Sequence, residues 1–403
     1  MTKLALHRSW GRRMRLGAAS GALVFGIVLG QLLVVTPLAE AQVHRTFTLL
    51  YSFKGDTDGA QPHASLLRDA DGNFYGTTEG GGPLKCGTVF KLDTTGAETV
   101  LYTFTGKPAD GSLPMAGLIR DPAGNLYGTT FYGGASDFGT VFKLDTTGTE
   151  TILHSFTGGT DGANPGAGLV RDGAGNLYGT TFYGGESGFG TVYKLDRNGA
   201  ETVLHSFAGS PLDGQEPTAG LIRDAAGNFY GTTITGGASN LGTVYKLDTT
   251  GKETVLYSFT GRPDGKFPWA GLVRDAAGNF YGTTLYRGAS DFGTVYKLDT
   301  SGTEAGLHSF TGHPDGRLPY AGLLSDLAGN LYGTASEGGA SRYGTAFKLD
   351  TTGKFTVLHS FTFGATDGIT PMGGLIRDTA GNLYGTTLQG GAFGVGTVFK
   401  LSR

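Results

Sequence analysis

The chain has 403 residues, 73 of them glycine, with 31 Lys+Arg against 34 Asp+Glu and 38% hydrophobic residues. Those proportions exclude a disordered tail, which needs low hydrophobicity with high net charge, and a nucleic-acid binder, which needs a basic footprint. A single cysteine, Cys86, excludes an intrachain disulfide and any cysteine-built metal site.

The first segment reads as an export signal. Lys3, Arg8, Arg12, Arg13 and Arg15 precede an apolar run from Leu16 to Val35, followed by Ala39-Glu40-Ala41. A basic start, an apolar stretch and a small-residue site predict a signal peptide over residues 1–41, cleaved before Gln42. The alternative is an uncleaved N-terminal anchor, because the apolar run is long enough to span a bilayer. No second run of that length follows, so no membrane span is expected after signal removal.

Residues 42–403 read as a single domain of internal repeats. Gly-Asn-(Leu/Phe)-Tyr-Gly-Thr occurs seven times, its first glycines being Gly72, Gly124, Gly175, Gly227, Gly278, Gly329 and Gly381. Asp-Gly-x-x-Pro also occurs seven times, from Asp58 to Asp367, always 14 residues before the next Gly-Asn. Each unit contains four short strands, a to d. In the fifth these are Ala270–Arg274, Phe280–Thr284, Thr294–Leu298 and Thr303–Phe310. Asp-x-x-Gly-Asn joins a to b and Asp-Thr-(Thr/Ser)-Gly joins c to d, both in the manner of tight hairpins.

The order of strands at the two ends predicts ring closure. The domain begins with a d-type strand, Thr46–Phe53, and ends with a, b and c strands, Gly374–Asp378, Leu383–Thr387 and Thr397–Leu401. The first strand therefore completes the last blade and removes a raw sheet edge. The prediction is an all-β, closed seven-bladed β-propeller with four antiparallel strands per blade.

Three aromatic positions recur in every unit, on strands b (Tyr75 to Tyr384), c (Phe90 to Phe399) and d (Phe53 to Phe361). Rings repeated alike in all blades are expected to glue neighbours together rather than to line a ligand box. The d–a and b–c connections are the longer and more variable ones, so a variable loop face and a plain turn face are predicted. The Asp-Gly aspartates lie on the loop face. They read either as an acidic ring around the channel or, more plainly, as turn aspartates bonded to nearby amides. His154, His205, His308 and His359 occupy one d-strand position on different blades, too far apart to converge on a metal. The strand-a arginines, such as Arg68 and Arg274, are expected to pair across strands within a blade.

On the b–c loops, Tyr132, Tyr183 and Tyr286 beside Asp137, Asp291 and Asn240 suit a sugar or peptide surface, with rings to stack and polar groups to bond hydroxyls. Glu337 and Arg342 belong to the more divergent loops and join this candidate set. The plainer alternative is an ordinary solvated rim. No catalytic motif, cofactor motif or metal-ligand set stands out.

The unit Gly-Leu-(Ile/Val)-Arg-Asp-x-Ala-Gly-Asn-(Leu/Phe)-Tyr-Gly-Thr-Thr, with Gly-Thr-Val-(Phe/Tyr)-Lys-Leu-Asp and Leu-(His/Tyr)-Ser-Phe, resembles the Gloeo/Verruco ("GloVer") repeat over residues 46–401. That resemblance implies an exported bacterial protein of the choice-of-anchor tandem repeat type, with no catalytic residues to carry over. The expected C-terminal anchoring segment does not follow Leu401-Ser402-Arg403, so a soluble form is expected, in the periplasm or outside the cell, and a monomer is expected separately. The expected role is a non-enzymatic scaffold binding a glycan, peptide or cell-wall partner on its loop face. The alternative is a polysaccharide-acting enzyme with its site on that same face.

Overall fold

The computed structural model describes residues 45–403, so the export segment expected over 1–41 lies outside the described residues. The described chain is all-β, with seven four-stranded antiparallel sheets. Their b strands are Phe74–Thr78, Leu126–Thr130, Leu177–Thr181, Phe229–Thr233, Phe280–Thr284, Leu331–Ala335 and Leu383–Thr387, which number blades 1 to 7. In blade 7 the d strand is Thr46–Ser52, paired antiparallel to Thr397–Ser402 with Thr46 opposite Ser402. The predicted swap of the first strand into the last blade is thus what the fold uses.

Three sets of contacts repeat at each of the seven seams. The Phe after each d strand meets the strand-c ring of the next blade edge-on, at centroid distances of 5.0–5.4 Å. All of these rings are fully buried. A b-strand threonine hydroxyl donates to a carbonyl at the start of the next blade, as Thr77 to Ala116 (3.0 Å) and, across the closing seam, Thr386 to Ala64 (3.0 Å). The residue before each Asp-Gly-x-x-Pro proline donates its N–H to the preceding blade's b–c loop, at 2.7–3.2 Å, with Gln61 to Val395 closing the circle. The ring is therefore sealed by the same chemistry at every joint.

The Asp-x-x-Gly-Asn-x-Tyr motif is one hydrogen-bonded knot. The carboxylate of each turn aspartate accepts from the Asn N–H, the Asn Nδ2 and the Tyr hydroxyl, as Asp224 does from Asn228 (2.9 and 2.8 Å) and Tyr230 (3.0 Å). Those bonds hold the turn aspartates' pKa below its ordinary value against the opposing effect of burial.

One expected element is shorter than its sequence suggests. Strand a is two residues long, Val273–Arg274 rather than Ala270–Arg274. Its earlier carbonyls are taken by the neighbouring blade's threonines instead of a ladder partner, and its glycines lie against the glycine of the preceding blade: a Cβ on Gly271 would come 3.4 Å from the Gly220 oxygen. The strand-a arginines pair within their blade as expected, Arg68 lying 6.0 Å from the ring of Phe74, Arg223 5.9 Å from Phe229 and Arg274 5.6 Å from Phe280, each the residue opposite on strand b, and they also reach across the seam. Arg120 lies 5.8 Å from the ring of Tyr75 and Arg274 lies 5.5 Å from that of Tyr230, each in the preceding blade.

Candidate ligand site on the loop face

The d–a and b–c loops of each blade pair with each other, as Ser112 with Tyr132 and Gln215 with Thr235, and so form one face. Seven non-glycine residues precede the repeated proline with φ between 56° and 61°: Gln61, Leu113, Asn164, Glu216, Phe267, Leu318 and Thr370. This left-handed backbone is costly for side-chain-bearing residues. It aims the N–H of each at the preceding blade and sends the chain through proline to a variable residue: His63, Met115, Gly166, Thr218, Trp269, Tyr320 or Met372.

Near the axis these variable residues meet another variable set, the one that follows strand b. Phe131 follows strand b of blade 2 and Phe182 that of blade 3, with ring centroids 6.3 Å apart. Phe131 extends over Gly166 of the next blade, where a Cβ would lie 3.5 Å from its ring. Phe182 is 6.5 Å from Trp269 of blade 5, and Trp269 is 5.6 Å from Tyr320 of blade 6. Blade 4 contributes only Thr218 at this position, whose hydroxyl donates to the Trp269 carbonyl (3.0 Å). Small residues on blades 3 and 4 thus allow rings from non-adjacent blades to approach, and an aromatic cluster of four blades forms at the axis.

Glu79 occupies in blade 1 the register position of Phe131 and Phe182. Its N–H bonds Gln61 as theirs bond Leu113 and Asn164. Burial raises the pKa of its carboxyl. Burial likewise lowers the pKa of His63 and so favours its neutral form. Glu216 of blade 4 accepts from the Thr235 hydroxyl (3.1 Å) and lies close enough to Tyr183 to help raise its phenol pKa, after burial.

The profile of the Gloeobacter/Verrucomicrobia repeat matches residues 35–190 and 169–399. The chain belongs to this repeat family. A comparison with curated proteins found no match. Among solved structures, this family member resembles a streptogramin B lyase at 14% identity and TM-score 0.61, covering 90% of this chain and 99% of that one. It also resembles virginiamycin B lyase from Staphylococcus aureus, at 13% and 0.59, covering 89% and 99%. The extracellular domain described as that of a one component system from B. thetaiotaomicron matches at 10% and 0.60, covering 90% of this chain and 40% of that one. At such identities these likenesses carry the fold alone.

Within this Gloeobacter/Verrucomicrobia repeat ring, the eight residues singled out from sequence separate into two groups. Tyr132, Tyr183 and Tyr286 are exposed, and the first two lean on Phe131 (5.0 Å) and Phe182 (4.4 Å). Asp137, Asn240, Asp291 and Arg342 share one left-handed loop position, φ 55–70°. The side chains of Asp137 and Asn240 bend back to accept from Gly133 (3.0 Å) and Gly236 (2.9 Å). Asp137 also pairs with Lys107 (2.8 Å), Asp291 with Arg262 and Arg287, and Glu337 with Arg317 (2.6 Å). The tyrosines thus remain open to solvent, while most of the polar members are engaged with their own loops.

The Asp-Gly aspartates do not ring the channel. Six are hydrogen-bonded in the d–a corner to the d-strand Tyr or His of the blade before, as Tyr102 to Asp110 (2.9 Å) and His205 to Asp213 (3.1 Å), and Asp161 lies 3.4 Å from His154. Sequence reasoning missed Phe131, Phe182, Trp269 and Tyr320. The signal was available in the residue after each repeated proline, which varies in an otherwise near-constant unit.

Proposed function

We propose that this protein is a non-enzymatic, extracytoplasmic binding scaffold. Its ligand, of glycan, peptide or cell-wall origin, docks on the loop face over the axial aromatic cluster and the neighbouring Tyr132 and Tyr183. The observation that carries this reading is the approach of Phe131, Phe182, Trp269 and Tyr320 from four blades. At the seams between blades the repeat packs its rings alike, whereas here it departs from its own consensus and leaves apolar area half-buried. Rings of this kind stack on sugar faces and apolar side chains, and nearby carboxylates and hydroxyls set orientation. Catalysis is the weaker reading, because it asks for unlike groups converging at one point. Glu79 and Glu216, which form no ion pair among the described residues, stand on blades 1 and 4 and are not paired with one another.

Thermal melting against glycans, peptides and cell-wall fragments tests the reading, since a ligand of the native state raises the melting point by mass action. The expected result is a shift with at least one class that disappears in Phe182→Ala and shrinks in Tyr183→Ala. A shift that survives both substitutions removes the loop-face site.

A further inference from the structure

We propose that the axial aromatic cluster recognises an organic ammonium ion, a positively charged amine carried on an aromatic or apolar body. This rests on the loop-face reading and narrows its ligand to one chemistry. Three observations lead to it.

The first is the rings themselves. The faces of Phe, Tyr and Trp attract cations held within about 6 Å, and desolvation strengthens the attraction. Phe131, Phe182, Trp269 and Tyr320 are all half-buried and approach one another from different blades. The protein already uses this interaction on the rim of the same face, where the Lys266 ammonium lies 4.3 Å from the Phe267 centroid and 5.4 Å from that of Tyr286. No such contact to the four axial rings occurs among the described residues.

The second is the distribution of charge. On the rim, cations and acids satisfy one another: Lys107 with Asp137, Arg262 and Arg287 with Asp291, and Arg317 with Glu337. Glu79, at the register position of Phe131, and Glu216, beside Tyr183, have no such counter-ion. Glu216 accepts one neutral hydroxyl, and neither it nor Glu79 forms an ion pair among the described residues. A half-buried carboxylate without a cation is unfavourable, and a bound cation relieves that cost.

The third is the character of the residues that follow the repeated prolines. The residues after the repeated prolines are His63, Met115, Gly166, Thr218, Trp269, Tyr320 and Met372, which include neither lysine nor arginine. An anionic ligand would meet Glu79 and Glu216 with nothing to neutralise it, whereas an ammonium ion meets carboxylates and π faces together.

The test uses the emission of Trp269. The chain has two tryptophans, so the full-length Trp10→Phe variant leaves Trp269 as the only emitter. It is titrated with phenethylammonium, with the near-isosteric alcohol phenethyl alcohol, and with phenylacetate. The expected result is saturable quenching by phenethylammonium at a concentration at least about tenfold below that needed for the alcohol, with phenylacetate weakest. Glu79→Gln and Glu216→Gln each reduce that preference, the double variant removes it, and raising the salt weakens it in the unaltered protein without any substitution. Equal binding of the alcohol, or a preference that persists in the double variant, overturns the ammonium inference and leaves the binding reading standing. Silence of all three probes also overturns it. The loop-face reading falls as well only if the glycan, peptide and cell-wall panel is silent too.

Discussion

The smallest decisive feature is a glycine facing an aromatic ring. In each blade the central glycine of strand b lies opposite the strand-c ring, as Gly231 does opposite Tyr245. A Cβ on Gly231 would stand 2.5 Å from the Tyr245 hydroxyl and 2.7 Å from its Cζ. The backbone there is ordinary strand, so the requirement is for space and not for an unusual φ. Gly231→Ala is therefore expected to destabilise the domain by about 1–3 kcal/mol, the cost of overpacking a filled core; a denaturation midpoint unchanged from the parent would contradict this packing. The same rule explains the axial cluster, where Gly166 makes room for Phe131. Glycine is thus structural in the sheets and permissive at the axis, and composition by itself does not distinguish the two uses.

At the scale of the element, the d–a corner is the most heavily bonded connection. Asp213 accepts from His205 Nε2 (3.1 Å), from the Ala208 N–H (2.8 Å) and from the Gly214 N–H (2.6 Å). Tyr takes the place of His in blades where the partner is Tyr51, Tyr102 or Tyr257, because either side chain presents a donor at that reach. Asp213→Ala leaves these donors without an acceptor in a corner shielded from water and is expected to cost about 2–3 kcal/mol. Asp213→Asn keeps the shape and one acceptor and should cost less. A chemical denaturation series on the two variants checks the order. This corner also explains why the aspartates recur in every blade without marking a ligand site.

At the scale of the whole molecule, the seams control the response to pH. Glu98, Glu150, Glu201, Glu253 and Glu304 each open a d strand, and each keeps one buried carboxylate oxygen without a hydrogen-bond partner. Burial first, and then the Asp-Gly aspartate nearby, pushes each carboxyl up to about 7 from 4.5. The folded state therefore holds these protons more tightly than the unfolded chain. The stabilisation is complete below about pH 4.5 and is lost as pH rises through about 7. The a–b turn aspartates act in the opposite sense: their lowered pKa stabilises above about 4 and fails in stronger acid. The melting temperature is expected to be higher near pH 5 than at pH 8, by a few degrees, because each glutamate is only partly buried and solvent screens its effect. Glu253→Gln should flatten that slope; a melting temperature that climbs from pH 5 to pH 8 would refute the assignment. Blades 6 and 7 carry Phe355 and Phe47 at the corresponding d-strand start, stacked on His308 (3.9 Å) and His359 (4.3 Å), so they do not share in this titration.

The number of blades, the strand order and the sharing of the last blade between both ends of the domain were legible in the sequence. They follow from period, turn chemistry and strand alternation, which are local. The aromatic glue was legible for the same reason, since a ring repeated seven times has one environment. The tertiary structure decided what depends on neighbours around the ring. Strand a is short because adjacent blades compete for its carbonyls, and an arginine such as Arg274 lies between the ring of its own strand partner Phe280 (5.6 Å) and that of Tyr230 in the preceding blade (5.5 Å). The position of Trp269 beside Phe182 depends on a threonine in the blade between them. Such approaches arise only when the circle closes, and no spacing along a single chain encodes which side chains then meet at its axis.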